Sequence, residues 1–184
     1  MTAVTLTTDR LVVREFREDD VPSVHEYGSD PEVVRFMPWG PNTEDDTTAF
    51  VERAVLFQAD DPRGMYELAM TLAADGKLIG GCGIHGISFA NRSASMGYCL
   101  RRDVWGRGYA TEAARALVAF GFRSLGLHRL VATCDTENAA SARVLEKLGM
   151  RREALFREDT LLRGRWRDSY LYAILESEWK GGPP

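Results

Sequence analysis

The chain has 184 residues, 45% of them hydrophobic and 27% charged, the make-up of a soluble globular domain long enough to bury a proper core. It has no run of about 18 apolar residues, and its start, "MTAVTLTTDRLVV", lacks the basic-then-apolar order of a secretory leader, so neither a membrane span nor export is expected. A formal net charge of −4 argues against broad nucleic-acid binding, and the usage of its three cysteines makes the cytoplasm the expected compartment.

In chain order, "LTTDRLVVREF" alternates around Leu11, Val13 and Phe16 and is predicted to be a first strand. "REDDVPSVHEYGSD" supplies acidic capping residues and Pro22, which open a short helix ending near Gly28. After the break at "FMPWGPN", Asn42 or Thr43 caps a second helix through about Gln58, with Phe50, Val51, Ala54 and Val55 on its apolar face. "MYELAMTL" and "KLIGGCGIHGI" flank a hairpin turn at Asp75-Gly76, and "ASMGYCL" forms the next strand. Helical spacing then runs from Ala110 through Leu117, Val118 and Leu125 and stops at Gly126. "HRLVATCD" is a strand, Ala139 to Leu148 a helix capped by Gly149, and "RREALF" with "WRDSYLYAIL" a closing antiparallel pair around "LLRGR". This order predicts a mixed sheet with helices packed on it, one domain over residues 1–180, and a frayed tail at 181–184.

Cys82, Cys99 and Cys134 each lie in an apolar run, are odd in number and lack C-x-x-C spacing, so buried reduced thiols are expected rather than a disulfide framework or a metal site. The residues that suggest chemistry are in "DVWGRGYATEA", 103–113, where two glycines stand one residue apart at the start of a helix. Glycine permits a close backbone approach, and a helix N-terminus offers unpaired N–H groups to an anion. No Walker string occurs, and "GRGYAT" holds Thr111 where the dinucleotide fingerprint needs its third glycine. A nucleotide-dependent kinase is excluded further because no pair of carboxylates for Mg²⁺ accompanies the loop. A cysteine hydrolase fails as well: Cys134 and His128 are six residues apart on one predicted strand, about 20 Å in extended chain.

Five segments in order, "TDRLVVREFREDD", "LIGGCGIHGI", "MGYCL…WGRGYATEA", "HRLVATCDTENAASARVLEKLGM" and "GRWRDSYLYAILESEW", resemble the GNAT superfamily of acyl-CoA-dependent N-acetyltransferases, its RimJ/RimL-type branch in particular. The resemblance implies an α/β (α+β) fold with a mixed, mostly antiparallel sheet of about seven strands, splayed at its centre, and four main helices. It implies acetyl-CoA as acyl donor, with no metal, and direct attack by an amine in a ternary complex. The family signature Q/R-x-x-G-x-G/A matches residues 103–108, with Asp103 at the first position. Gly106, Arg107, Gly108, Tyr109, Ala110 and Thr111 would then hold the CoA pyrophosphate through main-chain amides. Tyr98, Cys99 and Leu100 would run along the pantetheine arm, with the Leu100 N–H as oxyanion donor, and Asn138 would steady that arm. Arg101, Arg102 and Arg107 are candidates for further phosphate contacts.

Where many relatives carry a tyrosine acid, seven residues after the asparagine, this chain has Leu145. Ser141, in an N-x-x-S pattern, is the candidate that protonates the leaving thiolate, although it shares a helical stripe with Val144, Leu145 and Leu148 and is equally readable as packing. The base is unassigned: Ser95 stands where a glutamate would be expected, Glu112 suits the helix dipole, His85 is of the right type for a base but a strand histidine is more often a hydrogen-bonded structural residue, and Asp168 suits hairpin order. Phe36 and Trp39 in "RFMPWGPN" are expected to wall the acceptor site, with His85 of "GIHGI" beside it. The resemblance implies a peptide or protein α-amine as acceptor. A small amine, or a sensor that binds acyl-CoA without turnover, are the alternatives, and a homodimer is left open.

Overall fold

Residues 5–15 form two strands where the alternation predicts one. The reason is Thr8, whose hydroxyl accepts the Leu11 N–H at 3.0 Å while its own N–H donates to the Leu11 carbonyl at 2.9 Å, folding a tight turn between β1 (Thr5–Thr7) and β2 (Leu11–Glu15). The computed structural model describes residues 3–181, so all but Gly181 of the tail expected to fray lies outside the described residues.

The short helix α1 spans Val21–Gly28 with Pro22 in its first turn. Helix α2, Glu44–Leu56, is capped by Thr43 rather than Asn42: the Thr43 hydroxyl accepts the Asp46 N–H at 3.2 Å and the Asp46 carboxylate accepts the Thr43 N–H at 3.0 Å. Strands β3 (Tyr66–Leu72) and β4 (Leu78–Ser88) flank the Asp75-Gly76 turn, and β5 is Ser93–Leu100. The remaining elements are α3 (Tyr109–Arg123), β6 (Arg129–Asp135), α4 (Ala139–Lys147), β7 (Arg151–Leu162) and β8 (Arg165–Leu175).

The described strands form one eight-stranded sheet in the order β1-β2-β3-β4-β5-β6-β8-β7. Every described pairing is antiparallel except β5 with β6, which need a crossover, and α3 supplies it. Period-two alternation sorts the side chains between two faces. Leu68 and Met70 of β3, Ile84 of β4, Met96 of β5 and Leu130 of β6 pack under α3, whose Ala113, Ala114, Leu117 and Val118 are buried against them. Phe16, Ala69 and Leu78 face the other way, against Val24 and Tyr27 of α1 and Val51 and Ala54 of α2. No helix among the described residues is long and apolar enough to cross a membrane.

Leu117 is wholly buried at the centre of the α3 face. Leu117→Ala is expected to cost about 3 kcal/mol in urea unfolding with an unchanged denaturant slope.

Candidate functional site

The central strands separate early. β5 and β6 pair only at Ser93↔Arg129, Ala94↔Leu130 and Ser95↔Val131, after which β6 stays with β8 and β5 with β4. The Arg101 N–H donates to Ile79 on the β4 side at 2.9 Å, so by alternation the N–H groups of Leu100 and Tyr98 turn towards the gap. The Leu100 carbonyl shares that side and accepts the Trp105 indole N–H at 2.9 Å, which folds the following loop back on the strand end. A cavity of about 230 Å³ fills the gap, bounded by Gly97 and Tyr98 on one side, Thr133 and Cys134 on the other, Asn138 and Ser141 at the start of α4, and Phe36 and Met37 across its mouth.

At the end of β5 the chain passes through Gly106 and Gly108, at φ +74° and +84°, and enters α3. Both are left-handed conformations that a side chain would strain. None of the backbone N–H groups of residues 106–111 has an acceptor among the described residues; the first to find one is Glu112, which donates to the Gly108 carbonyl at 3.1 Å. Arg10 braces this turn from outside. It donates to the Arg107 carbonyl at 3.0 Å and to Glu112 at 2.7 Å, and its guanidinium lies over the Tyr109 ring at 4.5 Å. Glu112 also accepts the Thr8 hydroxyl at 2.7 Å, so it is a structural anchor. Burial opposes its ionisation, but the hydrogen bonds from Thr8 and Arg10 outweigh burial and hold its carboxyl below the usual range. Of the three arginines near the loop, Arg101 is occupied by Glu26 and Asp103, and Arg102 by Asp30 at 3.3 Å. The Arg107 side chain is exposed and forms no ion pair among the described residues.

Asn138 caps α4 by accepting the Ser141 N–H at 3.1 Å. The Ser141 hydroxyl lies 3.0 Å from the Tyr98 phenol, which also donates to the Ser141 carbonyl at 3.2 Å, so Ser141 points at the gap while Leu145 goes into the core. Burial pushes the Tyr98 phenol well up and keeps it protonated; the Ser141 hydrogen bond offsets this only partly. Asp168 accepts the Glu158 N–H at 2.8 Å and orders the hairpin.

A larger cavity, about 540 Å³, lies on the α1/α2 face of the same strands. Trp39, Asn42 and Phe50 roof it; Gly81, Gly83, Gly97 and Cys99 floor it. Its polar centre is His85, whose Nε2 is 2.9 Å from the Glu67 carboxylate. The glycines make that room: a Cβ on Gly83 would be 2.6 Å from both His85 Nε2 and the Tyr66 carbonyl. The two cavities share Met37, Gly97 and Tyr98. Phe36 and Trp39, named together from the sequence, therefore border different cavities. Glu67 was not singled out from the sequence. The available signal was its parity, since it shares the α1/α2-facing phase of β3 with buried Ala69. Arg163, at the β7–β8 turn, was missed as well; it donates to the carbonyls of Val34 (3.1 Å), Trp39 (3.2 Å) and Gly40 (2.8 Å), pinning the loop that carries Phe36 and Trp39.

Comparison with known proteins finds a match to the acetyltransferase (GNAT) domain model over residues 10–151. The chain is 38% identical over 174 residues to the N-acetyltransferase YnaD of Bacillus subtilis, itself uncharacterised, covering 95% of this chain and 98% of that protein. It is 27% identical to the [ribosomal protein uS5]-alanine N-acetyltransferase of Escherichia coli, over 97% of this chain and 94% of that one. A crystal structure of a GNAT-family acetyltransferase from Bacillus anthracis superposes with a TM-score of 0.85 at 36% identity, covering 95% of this chain and all of that one.

Since the Glu112 carboxyl ionises below its ordinary range in the folded chain, its contribution to stability is complete above that range and disappears as pH falls through the folded value. Glu112→Gln is expected to lower stability most at about pH 7, with the difference from the parent protein shrinking as the pH falls below the ordinary carboxylate range, as followed by chemical denaturation across an acid series.

Proposed function

The chain belongs to the GNAT acetyltransferase family and is an N-acetyltransferase; we propose that it moves the acetyl group of acetyl-CoA to the primary amine of a peptide or protein N-terminus, by direct attack within a ternary complex. The observation that carries this reading is the junction of two unsatisfied backbone surfaces: the free amides of residues 106–111, and the edge of β5 beyond Ser95. The first suits a diphosphate, with the α3 dipole behind it and the Arg107 guanidinium beside it. The second suits an extended amide-bearing arm, which can pair with Tyr98, Cys99 and Leu100 as a strand would.

On this reading Gly106, Arg107, Gly108, Tyr109, Ala110 and Thr111 bind through main-chain N–H groups, so Asp103 at the first signature position does little harm. Asn138 caps α4 with its oxygen, which leaves its amide N–H₂ for the pantetheine arm. The Leu100 N–H donates to the carbonyl oxygen as negative charge develops there, and its carbonyl partner Trp105 keeps the strand end in place. Ser141, joined to the Tyr98 phenol, gives a proton to the departing sulfur; the hydroxyl pair takes the place of the tyrosine that Leu145 lacks. We take residues 1–180 as one acetyltransferase domain, and the free thiols of Cys82, Cys99 and Cys134 suit a cytoplasmic setting.

For the acceptor, the Escherichia coli relative acts on the alanine of a ribosomal protein, which supports an N-terminal α-amine here. A small-molecule amine is the second reading, favoured by the roof that Trp39, Asn42 and Phe50 place over the larger cavity. Incubation with acetyl-CoA and either an alanine-initiated peptide or spermidine, with the added acetyl group read by mass spectrometry, separates the two. Gly108→Val is expected to weaken acetyl-CoA binding at least about tenfold in calorimetry with the circular dichroism spectrum unchanged; unaltered binding rules out the cradle. Ser141→Ala is expected to slow turnover at least about tenfold with acetyl-CoA affinity retained.

A further inference from the structure

We propose that His85, held by Glu67, takes the proton from the attacking amine; the assignment rests on the acetyltransferase reading above. An ionised Glu67 carboxylate can only accept, so the His85 Nε2, 2.9 Å away, carries the ring hydrogen of the neutral imidazole. The lone pair then lies on Nδ1, which has no partner among the described residues. A carboxylate behind one ring nitrogen also stabilises the imidazolium that forms when the other nitrogen is protonated.

Position supports the assignment as strongly as bonding does. The ring stands over the Gly83↔Gly97 pair, and its Cε1 is 3.9 Å from where a Cβ on Gly97 would be. Gly97 borders both cavities, so His85 stands where the acceptor space meets the gap between β5 and β6. The side chains of His85 and Glu67 are 33% and 22% exposed, enough for a proton to leave to water.

The other groups facing this cavity are poor proton acceptors. Burial pushes up Tyr27 on α1, Cys82 on β4, and Tyr98 and Cys99 on β5, the last to about 12. Asp46 on α2 is held low by hydrogen bonds from Thr43, and Arg53 of the same helix is a cation.

The proton and electron balance closes. The amine nitrogen bonds to the thioester carbonyl carbon and passes its proton to Nδ1 of His85. The carbon–sulfur bond breaks with its electron pair on sulfur, which takes a proton from Ser141. Solvent restores the Ser141–Tyr98 pair and removes the proton from His85. For an unprotonated amine the sum is one acetyl group moved and no net proton.

The test uses the full chain with acetyl-CoA and two probe amines, an alanine-initiated peptide and benzylamine, following CoA release across about pH 5.5–9. His85→Gln, which keeps a hydrogen bond to Glu67, is expected to lower kcat about 100-fold, to abolish the rising limb of the pH profile, and to leave acetyl-CoA affinity in calorimetry unchanged. Glu67→Gln removes the carboxylate that accepts the Nε2 hydrogen, so in ¹⁵N NMR of the ring it should replace the Nε2–H tautomer with a mixture and lower kcat with acetyl-CoA affinity unchanged. A His85→Gln enzyme with parental kcat and pH profile overturns the base assignment alone. A parent protein that binds acetyl-CoA but acetylates neither of these amines nor spermidine overturns the transfer reading, and this assignment with it.

Discussion

Two parallel strands that hold together for three residue pairs and then part set the condition to which the rest of this molecule answers. Past Ser95, the β6-facing N–H and C=O groups of β5 have lost the partner that a continuous sheet would supply. A half-buried main-chain group left unpaired costs about 1–3 kcal/mol, so the surroundings take up what they can. Trp105 takes the Leu100 carbonyl, and the Tyr98 phenol bridges to the first turn of α4. The remaining N–H groups are a standing demand for an extended, hydrogen-bonding ligand. The crossover that parallel strands require is itself the helix whose N-terminus lies at the mouth of the gap.

Rigidity around this opening comes from contacts remote in sequence. Arg10 holds three features of the glycine turn together: the Arg107 carbonyl, the Glu112 carboxylate and the Tyr109 ring. With the Arg107 carbonyl tied outward, the following amides are left to face the other way. On the opposite face, glycines at 81, 83 and 97 do by omission what side chains elsewhere do by filling. They leave a floor of bare backbone, deep enough for an imidazole and a carboxylate to lie side by side against the strands.

Much of this was legible in the sequence, because its cues are local. Asp75-Gly76, the helix start at Asn42 or Thr43, the 3.6-residue spacing of α3 and the glycine-to-helix join at 106–109 each depend on residues within one turn of each other. The split of the first strand was not, since it depends on one hydroxyl pairing with a backbone N–H three residues on. Helical spacing alone left Ser141 undecided between core and cleft. Leu145 on the same helix is buried, and only the position of Tyr98, 43 residues earlier, shows the hydroxyl facing the gap. Glu67 and His85 are 18 residues apart and come together through strand register, which no short window encodes.

Arg163 extends the same lesson to mechanics. A side chain on the closing hairpin grips the carbonyls of residues 34, 39 and 40, 123 to 129 positions upstream, and so ties the segment bearing Phe36, Met37 and Trp39 to the far end of the sheet. Met37 is a wall common to both cavities. The two cavities therefore share a movable partition: a displacement of the last hairpin drags it, and so both compartments, with it. A protein partner touching that hairpin would have leverage over the reaction without approaching a reacting atom.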